Sequence, residues 1–158
     1  MKIKTGIGQD SHAFENTPGK ALILAGVEFS NNNGLKGNSD ADVVLHSLTN
    51  AISSVTGNNI LGKIADELCQ QGITDSREYL QCALNDLGDW QINHIAISLE
   101  CLKPKISPKI EEMKTNIAEL CNIDIRDVGI TATTGEGLTA FGKGQGIQAL
   151  TIITTSKA

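Results

Sequence analysis

The sequence holds 158 residues, 40% apolar, 20% charged and only 3% aromatic, with a formal net charge of −5. That length suits a single domain over residues 1–158 with an aliphatic core of its own. The acidic balance excludes a broad nucleic-acid footprint, which needs clustered Lys and Arg to displace counterions.

Met1-Lys2-Ile3-Lys4 begins straight into a strand pattern, without a signal-peptide core, and no apolar run approaches a membrane span. The expected partners therefore include neither nucleic acid nor membrane. The expected location is the cytoplasm, or a plastid-type organelle if a transit segment has been removed. Lys2 to Gly8 reads as the first strand, and Ala21 to Phe29 as two short strands turning at Ala25-Gly26. Asn31-Asn32-Asn33-Gly34 is a loop, because Asn and Gly tolerate left-handed backbone angles. Val43, Val44, Ser47, Leu48, Ala51 and Ile52 then recur at helical spacing, with Ser39 or Asp40 as N-cap and a stop before Gly57.

Asp75-Ser76-Arg77-Glu78 resembles a capping box and opens a helix to about Leu87. Ile95, Ile97 and Leu99 share one face of a strand from Ile92 to Leu99. Ser107-Pro108 opens a helix to about Cys121, and strands follow at Val128–Thr133 and Ile147–Thr155. The order predicts an α+β fold, a two-layer sandwich with helices on one face of a mixed sheet. Cys69, Cys82, Cys101 and Cys121 show no CxxC spacing, so reduced thiols are expected.

Three segments carry groups that could do chemistry. Asp10 and His12, two apart at the end of the first strand, point the same way. His46 lies early in the next helix, one turn beyond Asp42. Each has a plain alternative: a loop carboxylate beside a surface histidine, or a capped helix with an acid–histidine contact. Jointly, two histidines and a carboxylate suit zinc, and three protein ligands leave a fourth position open. Asp42 then orients His46 or serves the helix dipole. The run from Thr131 through Gly135-Glu136-Gly137 to Lys143 and Gly146 offers backbone amides, hydroxyls and a lysine suited to phosphate. Otherwise it is a glycine-rich hairpin. Lys103-Pro104-Lys105 is a ligand-facing loop or a solvated turn.

In this order the segments resemble the 2-C-methyl-D-erythritol 2,4-cyclodiphosphate synthases of the non-mevalonate isoprenoid route. The likeness rests on Asp10-Ser11-His12, on Ser39-Asp40-Ala41-Asp42-Val43 with His46, and on Asp75-Ser76-Arg77-Glu78. It continues through Pro104-Lys105 and Ala132-Thr133-Thr134, then Glu136-Gly137-Leu138, to the glycines ending at Gly146. The resemblance implies a homotrimer with sites between subunits and a phosphorus–oxygen lyase that releases CMP from a cytidine diphosphate substrate. It implies zinc on Asp10, His12 and His46, magnesium or manganese on Glu136, and transition-state stabilisation by Thr134. Substrate would meet Ser39, Gly62, Lys63, Cys101, Pro104, Lys105, Ala132, Thr133, Gly135 and Lys143. Asn38 takes the catalytic place where the family usually carries a histidine. The alternative, from another class, is a catalytically retired zinc-binding trimer acting as a ligand-binding or structural protein.

Overall fold

Strand pairing, rather than apolar alternation, sets the length of the first element. In the computed structural model, which describes all residues from Met1 to Ala158, β1 spans Lys2–Ala13 and pairs antiparallel with β6, Gly146–Lys157. The apolar pattern predicts a strand to Gly8; the ladder carries it on through Asp10 and His12. β6 also pairs antiparallel with β4 (Gln91–Glu100), and β4 pairs parallel with β5 (Val128–Thr133). The mixed sheet thus has the order β1-β6-β4-β5. β2 (Ile23–Leu24) and β3 (Val27–Glu28) form a separate hairpin around Ala25-Gly26, as the sequence suggests.

Burial alternates along the strands, as a sheet covered on one face requires. Gly6 and Gly8, Ile95, Ile97 and Leu99, and Ile147, Ala149 and Ile153 are buried. Their neighbours Ile3, Ile7, Leu150 and Ile152 stay 39–62% exposed. Helix α1 (Val43–Thr56) covers β1 and β6, α3 (Ser76–Asn85) packs on α1, and α4 (Ile110–Cys121) lies against β5. The predicted two-layer α+β sandwich is therefore present.

Three local expectations need correction. The cap of α1 is Asp42, not Ser39 or Asp40, because Ala41 turns the chain at φ 55° and Asp42 Oδ1 then accepts from Leu45 N at 3.1 Å. An extra helix, α2 (Lys63–Gln70), follows Gly62; it has no side-chain cap and buries only Ala65. Asp75 caps α3 by accepting from Arg77 N at 2.9 Å, while Glu78 closes no reciprocal side-chain bond and sends its N–H to the Asp75 carbonyl. All four cysteines are free, as expected.

The contact between α1 and β1 is closer than any side chain permits. A Cβ on Gly6 would lie 2.2 Å from the Ala51 carbonyl oxygen, and one on Gly8 2.0 Å from that of Ser47. A hydroxyl pair, Ser47 Oγ to Thr151 Oγ1 at 2.6 Å, ties the same helix to β6. Gly8→Ala must push the helix backbone away, and should cost at least about 3 kcal/mol, as severe overpacking does. Denaturant unfolding at fixed protein concentration measures it; an unchanged midpoint would contradict the contact.

Candidate metal centre

The close approach of α1 brings three side chains to one point. Asp10 and His12 lie on the helix-facing side of β1, and His46 sits in the first turn of α1. Asp10 Oδ2 is 3.0 Å from both His12 Nε2 and His46 Nδ1. The three ligand atoms lie within 4.8 Å of one another. Tetrahedral ligands about 2.1 Å from zinc would be separated by about 3.4 Å.

The hydrogen bonding leaves one of these atoms, His12 Nε2, without a partner. His12 Nε2 is buried and, despite its distance from Asp10, makes no hydrogen bond of acceptable geometry. The Lys36 backbone beside the same ring also favours its protonated form. Burial alone would push the Asp10 carboxyl up; the two imidazoles beside it, His12 and His46, outweigh that and hold the group at about 2. Reciprocally, the Asp10 carboxylate 3.0 Å away raises the His12 imidazole above its ordinary value against the opposing effect of burial. An ionised carboxylate facing two imidazole nitrogens is a donor set that suits a borderline divalent metal.

Asp42 does not orient His46. Its carboxylate, fully buried, accepts from Ala25 N at 2.9 Å and Gly26 N at 2.7 Å as well as from Leu45 N. Behind His46 stands Ser76 instead, its Oγ 2.7 Å from Nε2. No feature of the sequence marks Ser76 for that place, because a residue after an N-cap acid reads as helix.

Asn38, Ser39 and Gly62 line a cavity of about 240 Å³ beside Asp10, His12 and His46, together with Asn50, Leu61, Ala65, Asp66, Cys69 and Tyr79. Lys63, next to Gly62, is exposed, with its ammonium 3.9 Å from Glu67. The other predicted residues lie elsewhere. Cys101 N donates to the Thr133 carbonyl at 3.1 Å, and Leu102 N to that of Phe141 at 3.1 Å. Those bonds knit Cys101 to Thr133 at the end of β5, beside Ala132, and Leu102 to the turn that leads to Lys143; Pro104 and Lys105 follow in the same loop. Burial pushes the Cys101 thiol up to about 11, so it is no thiolate nucleophile at neutral pH. Thr134 opens a tight turn, accepting from Glu136 N at 3.5 Å; Gly135 and Glu136 hold φ of 74° and 53°.

The two groups share one end of the sheet but are not adjacent within the chain. Asp10, Ala149, Leu99 and Ala132 form a row across β1, β6, β4 and β5. Three strand spacings separate its ends by about 14 Å. Replacing His46 by Ala should abolish stoichiometric metal binding while the sheet and α1 persist, as the core around them does not depend on the imidazole. Metal analysis with circular dichroism tests this, and full metal retention would reject the centre.

A family model described as the YgbB family matches residues 3–156. A 2-C-methyl-D-erythritol 2,4-cyclodiphosphate synthase from Chlamydia caviae is 49% identical over 98% of this chain and 89% of its own. That of Chlamydia felis is 50% identical over 96% of this chain and 88% of its own. Among solved structures, the bifunctional IspDF of Campylobacter jejuni superimposes with a TM-score of 0.90 at 30% identity, over 99% of this chain and 43% of that one. A Plasmodium falciparum IspF in complex with CDP aligns with a TM-score of 0.83 at 25% identity, over 98% of this chain and 96% of that one. The chain belongs to the YgbB family, together with those 2-C-methyl-D-erythritol 2,4-cyclodiphosphate synthases.

Proposed function

We propose that this chain converts 4-diphosphocytidyl-2-C-methyl-D-erythritol 2-phosphate to 2-C-methyl-D-erythritol 2,4-cyclodiphosphate with release of CMP. The observation that carries the reading is the triangle of Asp10, His12 and His46 in a chain half identical to named synthases. The same identity weighs against the retired paralogue.

In the reaction an oxygen of the 2-phosphate attacks the β-phosphorus, and the bond from that phosphorus to the oxygen bridging to the α-phosphate breaks. CMP departs with that bridging oxygen, so the step is an intramolecular substitution at phosphorus that closes a ring. Asp10, His12 and His46 would hold zinc, and Glu136 magnesium or manganese; such cations supply Lewis-acid charge and screening on the diphosphate.

The remaining work is positioning and hydrogen bonding, which dominate phosphoryl transfer. Thr134 Oγ1 accepts from Glu136 N, which leaves its own proton to donate to a phosphoryl oxygen. Asn38, exposed at the rim of the cavity, offers a neutral amide donor there. Ser39, Gly62 and Lys63 bound the space for the erythritol phosphate. Cys101, Pro104 and Lys105, with Ala132, Thr133 and Gly135, bind the cytidine largely through backbone groups, the two segments being joined by the Cys101 N to Thr133 carbonyl bond. Lys143 adds charge at the phosphates as a single ammonium, without the fork of an arginine.

The 14 Å row across the sheet, about three strand spacings, is too wide for both cations to meet one diphosphate within a single chain. The site is therefore shared in a homotrimer, the turn of one subunit facing the metal ligands of the next. The open sheet face, with Ile3, Ile7, Leu150 and Ile152 exposed, supports self-association. Light scattering should give a trimer at micromolar concentration, and Ile152→Glu should shift it toward monomer and lower CMP release. A monomeric, fully active wild type would overturn the shared site.

Asn38→His should raise turnover with zinc and magnesium saturating, since a cationic donor strengthens the hydrogen bond to developing oxygen charge. The gain should be less than the roughly 100-fold typical of a deleted oxyanion donor, as Asn38 already donates. Unchanged or lower turnover would mean that the asparagine belongs to a re-optimised site.

A further inference from the structure

Behind the metal ligands runs a chain of hydrogen bonds that determines which nitrogen of His46 is free. Ser76 Oγ donates to Asp40 Oδ1 in a short hydrogen bond, and Ser76 N donates to Asp40 Oδ2 at 3.1 Å. Asp42 N donates to Asp40 Oδ1 as well, at 3.1 Å. An ionised carboxylate only accepts, so the single hydroxyl proton of Ser76 is committed to Asp40. Ser76 Oγ can then only accept from His46 Nε2, 2.7 Å away. His46 consequently carries its proton on Nε2 and presents the Nδ1 lone pair toward Asp10 Oδ2 at 3.0 Å.

The ring has little freedom to escape this arrangement. It packs edge-on to His12 with centroids 5.7 Å apart and tilted against Tyr79 at 6.1 Å. The Tyr79 hydroxyl is itself tied to the Ile73 carbonyl at 2.6 Å. Ser76 is fully buried, so water does not compete for its oxygen.

We propose that Ser76 and Asp40 are positioning residues for the metal centre, an Asp40–Ser76–His46 relay that fixes the tautomer and ring orientation of His46 as a ligand. The proposal rests on the metal reading of Asp10, His12 and His46, and extends it to residues that touch neither metal nor substrate. Asp40→Asn must fail in a specific way. Whichever side-chain atom becomes the amide nitrogen then faces a backbone N–H, of Ser76 on one side or Asp42 on the other. If it also donates to Ser76 Oγ, the hydroxyl proton turns toward His46 Nε2 and forces the opposite tautomer.

The test measures zinc affinity of the full-length protein by competition with a chromophoric chelator, in wild type, Ser76→Ala, Ser76→Thr and Asp40→Asn. Ser76→Ala and Asp40→Asn should weaken binding by about 10–100-fold, the usual cost of losing a partner behind a ligand. Ser76→Thr, which keeps the hydroxyl, should recover most of the affinity. Nitrogen-15 spectra of the cadmium-113 form should show metal coupling to His46 Nδ1 and a slowly exchanging Nε2–H that Ser76→Ala loses. Unfolding midpoints of the metal-free proteins separate these effects from simple destabilisation. Equal affinity in wild type, Ser76→Ala and Asp40→Asn, or coupling through Nε2, overturns the relay while leaving the metal centre standing. A wild type that binds no zinc overturns both.

Discussion

The metal triangle depends on the absence of two side chains. Gly6 and Gly8 let the backbone of α1 rest on β1 with no Cβ between them. The carbonyl nearest Gly8 belongs to Ser47, the residue after His46, while Asp10 and His12 follow Gly8 on the same face of the strand. Any side chain at Gly8 would therefore act on the distance between Asp10 and His46 directly. The interior transmits such a displacement because it is close-packed and has no slack to absorb it.

A buried carboxylate supplies the second restraint. Asp42 ends the segment that carries Asn38 and Ser39, and it gathers N–H groups from the β2–β3 turn as well as from its own helix. Asn116, on α4, donates to the Ala25 carbonyl of that same turn at 3.2 Å. The hairpin thus clamps the start of α1 to both the helix layer and the cavity wall. Burial of a carboxylate is costly without such partners, so the arrangement is tied to this one geometry. Asp40, two residues earlier, does the corresponding service for α3 through Ser76.

Most of the fold was legible because its signals are local. Alternation marked Ile95, Ile97 and Leu99, helical spacing marked Val44, Leu48 and Ile52, and Asp75 and Pro108 marked helix starts. α2 escaped notice since Gly62 supplies no cap and the helix buries little; the spacing of Ile64 and Leu68 was the one available sign. At the site, Asp10, His12 and His46 were legible as a metal-binding composition. The positions of Asp42 and Ser76 were not, because both roles are set by long-range contacts, with Ala25 and with His46, that leave no periodic trace. Reading Asp42 as a partner of His46 applied the i,i+4 rule to a residue whose oxygens are already taken by backbone donors.

The topology explains why the proposed site divides as it does. β4 and β5 are parallel, so their C-terminal ends lie together, and β6 begins beside the C-terminal end of β1. The candidate metal ligands and the Thr134–Glu136 turn consequently share one end of the sheet. Their lateral spacing is fixed by intervening strands, β6 and β4, whose hydrogen-bonded ladders do not compress. A loop cannot close a gap of about three strand spacings without adding chain, and both loops here are short and internally bonded. In the proposed homotrimer a second copy would close it, by setting its own β5 end against the first copy's β1. Under that arrangement the substrate diphosphate would lie along a seam between rigid sheets. Rigid walls suit a reaction whose nucleophile and leaving group belong to one flexible molecule, because the barrier then falls chiefly through holding that molecule folded.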